Sequence, residues 1–403
     1  MKFSILLFFI FISSTFANPL QDAINNAKPY STIKLSPGTY KGNIIINKPL
    51  NIIAKEDGVV IKGDGVGSVV EIKSSDVMLK NLTITNSGDR MDKIDAAISM
   101  KKANRCKIEG CKLLNSLYGI DMVMVKNSTV KNNYITSKDL DIEQRGNALK
   151  IYYSHNNLFK NNTIENSRDV TLNYSHNNTF EANKFINNRF ATHLSLSNFN
   201  KFISNYYTQN SVSIMIMGAK DTNITNNTIQ SSKGAAGIGL MIAGVANFHL
   251  THNKIKFNAK AIYIDGKEKA KGMKRYISYN EISYNKEAFH FHVSIKDNTI
   301  RYNKIFGNID DVVKDIEGDF SKSNVVRYNY WDRYVGFDRD RNGIGDTPHQ
   351  IYQYASQLWQ YNHKIKFFYA SPIMSLLDFM TQLAPFIEPN LLLEDSCPTF
   401  QSF

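Results

Sequence analysis

NKFINNRFATHLSLSNFNKFISNYYTQNSVSIMIMGAKDTNITNNTI, residues 183–229, repeats one phrase: an Asn, one residue, an apolar residue, a polar turn, then another apolar run. The Asn of that phrase recurs at Asn133, Asn162, Asn183, Asn205, Asn227, Asn253, Asn280 and Asn303, with Cys111 in the same place one step earlier. The steps are 22, 29, 21, 22, 22, 26, 27 and 23 residues. Repetition at this period marks a solenoid. Between the Asn positions lie short alternations such as ALKIYY (148–153), DVTLNY (169–174), SIMIMG (213–218) and AIYI (261–264). Period-two alternation bounded by turn residues is strand rather than helix. Three short strands and three corners fill about 22 residues. This predicts an all-β chain, a right-handed parallel β-helix of the pectin-lyase-like kind over 18–324.

The Asn positions follow from that geometry. Asn tolerates left-handed backbone and bonds the main chain at a bend. Stacked coil on coil, ~4.8 Å apart, its amides form a ladder. These Asn residues are therefore expected to be structural, with Cys111 a small buried thiol. LQDAINNA (20–27) reads as a short amphipathic helix covering the open first coil, where a bare sheet edge would otherwise stand.

Residues 1–17, MKFSILLFFIFISSTFA, have the form of a cleaved signal peptide, so the chain is expected to be exported to the periplasm; an uncleaved anchor is the other reading of the same run. Cys106, Cys111 and Cys397 make no disulfide framework, although Cys106 and Cys111 are close enough in sequence to pair. The formal charge of +12 suits acidic neighbours or simply a lysine-dotted solenoid; it is concentrated in GKEKAKGMKR (266–275). No GxxxxGK[ST] is present, so any ATP hydrolysis falls to a partner, and an exported chain has no call for nucleic acid.

Past Asn303 the repeat decays. In the aromatic and acidic segment 325–352, Asp338, Asp340, Asn342 and Asp346 alternate with Gly343 and Gly345. Oxygen side chains at every second position, with Gly at the tight turn, are the pattern of a calcium loop. The alternative is a turn that satisfies its own backbone. The tail 353–403 carries apolar residues at helical spacing, Ile373, Leu376, Leu377, Met380 and Leu383, between Pro372 and Pro385. Such a helix lies on a membrane, docks on a partner or closes the last coil; Met374, Leu377, Met380 and Phe386 are the docking candidates.

NYWDRY (329–334), GFDRDRNGIGDTPHQIY (336–352), the Asn coils before them and SPIMSLLDFMTQLAPFIEP (371–389) together resemble the NosD family. The resemblance spans nearly all of the chain after residue 17. It implies a periplasmic β-helical protein that serves the maturation of nitrous oxide reductase. Such proteins work with an ABC-type ATPase and its membrane permease to supply copper, sulfur or both to the reductase's copper–sulfide cluster. Catalysis is not implied, and the tail is the part expected to meet the membrane partner.

Copper(I) prefers soft thioether and imidazole ligands. Ten residues after successive ladder Asn positions stand His193, Met215, Tyr263 and His290, and Met241 joins them once an insertion near Ser232–Ala235 is allowed for. With Leu194, Ile214, Ile216, Leu240 and Ile242 in the core, His193, Met215 and Met241 face outward on adjacent coils. Met217 extends the patch, and His292 follows His290 on the same face. In the opposite register the Met residues are core filler. Met122 and Met124 share the face of Ile120 and are expected inside; His155 and His176 sit at corners; His249 and His252 form a weaker pair.

The main rival is a polysaccharide lyase, hydrolase or epimerase on the same scaffold. Its candidates are Asp121, Asp169, Asp221 and Asp265, with Lys150 or Arg168. They are spread over many coils, and the repeat brings no two together. A sugar-binding solenoid would stack aromatics along an outer face, for which Tyr152, Tyr263 and Tyr279 are the candidates.

Overall fold

The computed structural model describes residues 18–265, 274–292, 294–315, 323–353, 363–368, 371–383 and 390–401. The leader 1–17, most of the basic stretch 266–275 and Phe386 lie outside them. Helix α1 (Pro19–Asn26) comes first; Asn18 Oδ1 accepts from Gln21 N–H at 3.1 Å, and Leu20 and Ile24 are buried against the first coil. Three parallel sheets then wind together. Among the described residues, two have 13 strands, running from Thr32–Leu35 to Val325–Arg327 and from Gly38–Lys41 to Tyr330–Trp331. The third has 12, from Ile44–Ile46 to Asp310–Lys314. Each strand pairs with its counterpart one coil on, which is a parallel β-helix. The first two sheets continue through Trp331, beyond the boundary expected at residue 324, and Asn329 supplies a further ladder rung.

Inward side chains fill the solenoid. Ile214, Ile216, Leu240 and Ile262 are fully buried, and Phe159, Phe180 and Phe202 stack with centroids 4.4 and 5.1 Å apart. The expected ladder is present. Asn183 donates from its backbone N–H and from Nδ2 to Asn205 Oδ1, at 2.9 and 3.0 Å, and Asn205 does the same to Asn227 at 2.8 and 3.0 Å. Asn205 Nδ2 also donates to Phe180 O at 2.9 Å. Each amide thus closes buried groups on three coils. The same device recurs at other corners, in Asn157–Asn178–Asn200 and Asn258–Asn285–Asn308. Cys106 and Cys111 are both fully buried and free, so they do not pair; Cys397 is also free.

The residue before each ladder Asn is left-handed, from Asn132 (φ 57°) to Tyr328 (φ 62°). Bulky residues are costly there. At His252, Tyr279, Tyr302 and Tyr328 the rings offset this by stacking on each other, with centroids 5.1, 5.0 and 5.3 Å apart. Ring faces spent on each other leave no platform for a sugar along this edge. Met124 departs from the sequence expectation. Met122 is in the core, but the strand Tyr118–Val123 ends before Met124, which turns left-handed (φ 56°) and is 46% exposed.

The far end is closed by an antiparallel pair, His349–Gln353 with Asn390–Asp395. Asp395 is fully buried, and its Oδ2 accepts from Asn329 N–H (3.1 Å), Asn329 Nδ2 (2.8 Å) and Trp331 Nε1 (3.0 Å). A carboxylate therefore takes the last rung of the ladder. Between these two strands stands helix α2 (Pro372–Leu383), starting at the Pro that the sequence indicated. Its Met374 is 5% exposed, so this docking candidate is an anchor instead; Ile373, Leu376, Leu377 and Met380 are exposed by 62, 59, 40 and 55%.

Replacing Asn205 by Ala strands Asn183 N–H, Asn183 Nδ2 and Phe180 O inside the protein. At ~1–3 kcal/mol per orphaned group, Asn205→Ala is expected to destabilise the solenoid by roughly 3–9 kcal/mol in urea unfolding, against little effect for Lys201→Ala on the same coil. Equal unfolding midpoints for the two variants would contradict the role given to the ladder.

Candidate functional site

The third sheet carries the chemistry on its outer face. Its strands include Tyr118–Val123, Leu149–Tyr152, Asp169–Asn173, Phe190–Ser195, Val212–Met217, Ile238–Ala243, Lys260–Asp265 and Glu287–Phe291. Alternation puts Leu194, Ile216 and Ile242 inside and their neighbours out. Register then aligns one outer column: Asp121, Lys150, Thr171, His193, Met215, Met241, Tyr263 and His290. His193 pairs with Met215, and Met215 with Met241, on successive coils. All three are partly exposed. The insertion before Met241 leaves as a turn and does not shift the register. Met217 lies at the strand end on the same face, 39% exposed, in the column Ser195–Met217–Ala243.

His193 is the unusual member. Its Nε2 is closed off from solvent and has no hydrogen-bond partner. Burial pushes its pKa down, with Asp169 opposing and Arg189 assisting, so the ring is neutral at pH 7. Phe190 packs edge-on against it, centroids 5.6 Å apart. A neutral imidazole and two thioethers in a column are soft donors about one coil spacing, ~4.8 Å, apart.

His290 and His292 do not extend this site. His290 is 1% exposed, and both ring nitrogens are taken: Nδ1 by Glu287 Oε2 (2.5 Å) and Nε2 by Asp315 Oδ2 (2.9 Å). His292 Nδ1 meets the same Asp315 oxygen at 3.2 Å. His290 thus has no nitrogen left for a metal, and His292 has its Nδ1 on the same carboxylate, which the repeat pattern did not flag. Tyr263 stacks on His290 at 4.8 Å and separates it from Met241. His155 and His176 are corner residues that stack at 5.1 Å, each Nδ1 accepting a backbone N–H from the next coil. His249 and His252 stack on different rings, Tyr276 and Tyr279, and make no pair.

The N-terminal part of the column corrects another expectation. Asp121 and Lys150 are brought together, at 3.2 Å, and Asp169 lies nearby with Arg189 (2.5 Å) and Arg168 (3.8 Å). Adjacent coils do what sequence distance hid. Both carboxylates are buried and held by cations; burial outweighs Lys150 and raises the Asp121 pKa. Asp221 sits at another corner, bonded by Asn247 Nδ2 at 3.2 Å, and Asp265 ends its strand further along. The carboxylates are closed ion pairs, rather than an opposed acid and base.

The calcium-loop candidates turn their oxygens inward. Asp338 accepts from Asn342 and Gly343 N–H (3.1 and 2.8 Å), Asp340 from Asn342, Asn342 from Ile344 N–H, and Asp346 from Arg339 N–H (2.8 Å). The backbone of the loop already occupies them. Among the described residues, no three His, Cys, Asp or Glu side chains converge as a metal site, and no helix is long and apolar enough to cross a membrane.

Residues 131–336 match the family described as "Periplasmic copper-binding protein (NosD)", which is half of the chain and includes every member of the soft column. The chain belongs to the NosD family. It is 27% identical over 368 residues to the "Probable ABC transporter binding protein NosD" of Pseudomonas aeruginosa, covering 88% of this chain and 84% of that protein. The protein of the same name from Stutzerimonas stutzeri is 23% identical over the same shares. Among solved structures, the A-module of an Azotobacter vinelandii mannuronan C-5 epimerase, AlgE6, aligns with a TM-score of 0.61. It is 14% identical and covers 76% of this chain and 93% of its own. A mannuronic-acid-specific family 6 lyase from human gut microbiota aligns at 0.53, also 14% identical, over 78% and 84%. At that identity the likeness is one of fold.

The His290 cluster carries a pH signature. Burial lowers the His290 pKa, but the bonds from Asp315 and Glu287 outweigh it and hold the value above the ordinary 6.5. Stability from a raised imidazole is complete below the unfolded value and lost as pH rises through the folded one. The protein should therefore lose unfolding free energy as pH rises from 6.5, and His290→Gln should flatten that slope in denaturant titrations at several pH values. An unaltered slope would mean the ring is not protonated in the fold.

Proposed function

We propose that this NosD chain is an exported, periplasmic accessory protein that delivers copper, alone or with sulfur, for the copper–sulfide cluster of nitrous oxide reductase. It works with the ATPase and permease subunits of an ABC transporter. The family's description as copper-binding and periplasmic supports this, as do relatives named as ABC transporter binding proteins. The observation that carries it is the unpartnered His193 Nε2 at the head of Met215 and Met241. Copper is cargo here. Three neutral, soft side chains at the surface, with the sheltered His193 Nε2 as the nitrogen donor, suit an ion that must be held and then leave again. Met217, at the rim, is the first contact for an arriving or departing ion.

Delivery needs a docking surface, and α2 offers one. Ile373, Leu376, Leu377 and Met380 lie at the spacing of one helix face, and all four are exposed. This face meets the membrane partner, while the β-helix presents the cargo.

Competition with a coloured copper(I) chelator under anaerobic conditions tests the first part. About one ion per chain is expected, and the H193A/M215A/M241A variant should bind at least ~10-fold more weakly, about 1.4 kcal/mol, with an unchanged circular dichroism spectrum. Full affinity in that variant would sink the assignment. The second part predicts that Leu376→Glu with Met380→Glu abolishes co-purification with the transporter subunits in detergent and leaves copper(I) affinity as it was. Retained co-purification would move docking elsewhere.

A further inference from the structure

A cavity of about 570 Å³ opens at the closed end of the solenoid. Its walls are the start of Asp310–Lys314, the turn after Trp331 and the strand His349–Gln353. Two polar atoms of lining residues are shut off from solvent with no partner: Asp311 Oδ1 and His349 Nε2. Asp311 is only 5% exposed. Native proteins rarely leave such atoms unpaired, and each one calls for an explanation.

Both orphans can accept, His349 Nε2 when the ring proton is on Nδ1. A carboxylate oxygen accepts, and a neutral imidazole accepts at whichever nitrogen carries no proton. Burial lowers the His349 pKa, so its ring is neutral at pH 7. The charges facing the pair come from every side of the cavity: Asp310 on the same strand, Asp332 and Arg333 from the turn, and Asp395 behind His349. Among the described residues the cation facing the pair is Arg333, which is already engaged: its Nη2 donates to Asn308 O at 2.8 Å and Ile309 O at 2.7 Å. Among the described residues, the charges around the cavity are mostly negative. A metal ion would find only two of the ligand types it needs here, because no three converge among the described residues. A group with N–H donors and a positive charge suits such a lining, and it pairs an orphaned acceptor that turns towards the cavity.

We propose that this cavity receives the lysine or arginine side chain of a protein docking at the closed end of the solenoid. The strand His349–Gln353 that forms its wall leads directly into the segment bearing α2, so one closing structure carries both an exposed apolar face and a hole that wants a cation. The inference does not rest on the copper column, with which the cavity shares no residue.

The occupant has a proton signature. Burial pushes the Asp311 carboxyl up to about 7, with Arg333 opposing. An entering cation favours the ionised form and releases a proton. Affinity should be level above pH 7 and fall about tenfold per unit below it.

The test is thermal unfolding of the mature chain with millimolar Nα-acetyl-lysinamide, whose only charge is on the side chain, at pH values on both sides of 7. The expected result is a rise in Tm that shrinks below pH 7 and is absent with the Nε-trimethylated form, which keeps the charge and loses the N–H donors. D311N should abolish the effect and leave the protein's own Tm equal or higher, since a buried carboxyl with an empty oxygen has been removed. If D311N does not fold, His349→Phe must show the same loss. No shift with the lysine probe, an equal shift with its trimethylated form, or full response in D311N overturns the proposal. Response to glycinamide but not to Nα-acetyl-lysinamide overturns it as well, by assigning the cavity to a small free amine.

Discussion

From Asn133 to Asn329 each coil of this protein hangs on one buried hydrogen-bonded amide. A ladder Asn accepts two N–H groups from the coil before it and donates across to a carbonyl further back. The interior offers no water to replace these bonds, so a coil that slipped by one residue would strand them and turn its apolar face outward as well. This constraint is stronger than the length of the repeat. The step from Asn227 to Asn253 is longer than its predecessor, yet Met215 and Met241 remain opposite each other because the surplus residues leave as a turn. Alignment of the outer face, and with it any site built across coils, is inherited from the ladder.

That outer face divides by chemistry. Towards the N-terminus it carries Asp121, Lys150, Asp169 and Arg189, locked as ion pairs. Towards the C-terminus Glu287, His290 and Asp315 are locked similarly. Between them lie His193, Met215 and Met241, which have no charged partner to hold. Hard, charged groups on both sides are self-satisfied, so the soft stretch is the part of the strip left with donor capacity. The two solved structures named above are a mannuronan epimerase and a mannuronic-acid lyase, but fold is a scaffold, and function belongs to the side chains placed on it.

Much of this was legible in the sequence. The Asn spacing and period-two runs predict the strands, the ladder and the column, because a β-helix converts sequence period directly into spatial contact. Cys111 as a buried thiol and the bounds of α2 follow from local chemistry in the same way. What escaped detection depends on contacts that no period encodes. Asp315 reaches His290 and His292 from the next coil, and Met124 is exposed because its strand stops one residue early. Asp121 meets Lys150 because residues a full coil apart are neighbours, although the step between their coils is among the longest. Asn329 repeats the ladder phrase in Asn329-Tyr330-Trp331 and could have been read as a rung; Asp395, 66 residues further on, could not.

Asp395 also gives the ladder a direction. Every rung donates forward through Nδ2 and accepts through Oδ1 from behind, so the amide dipoles all point the same way along the solenoid axis. Their sum leaves partial positive charge at the C-terminal end, as aligned peptide dipoles do at the start of a helix. A buried carboxylate is the complement to that end: it neutralises the accumulated field and accepts the last two N–H groups. It also has no hydrogen to pass on. A further coil stacked beyond it would find no donor, so the length of this solenoid is fixed by a single oxygen-for-nitrogen exchange at its final rung.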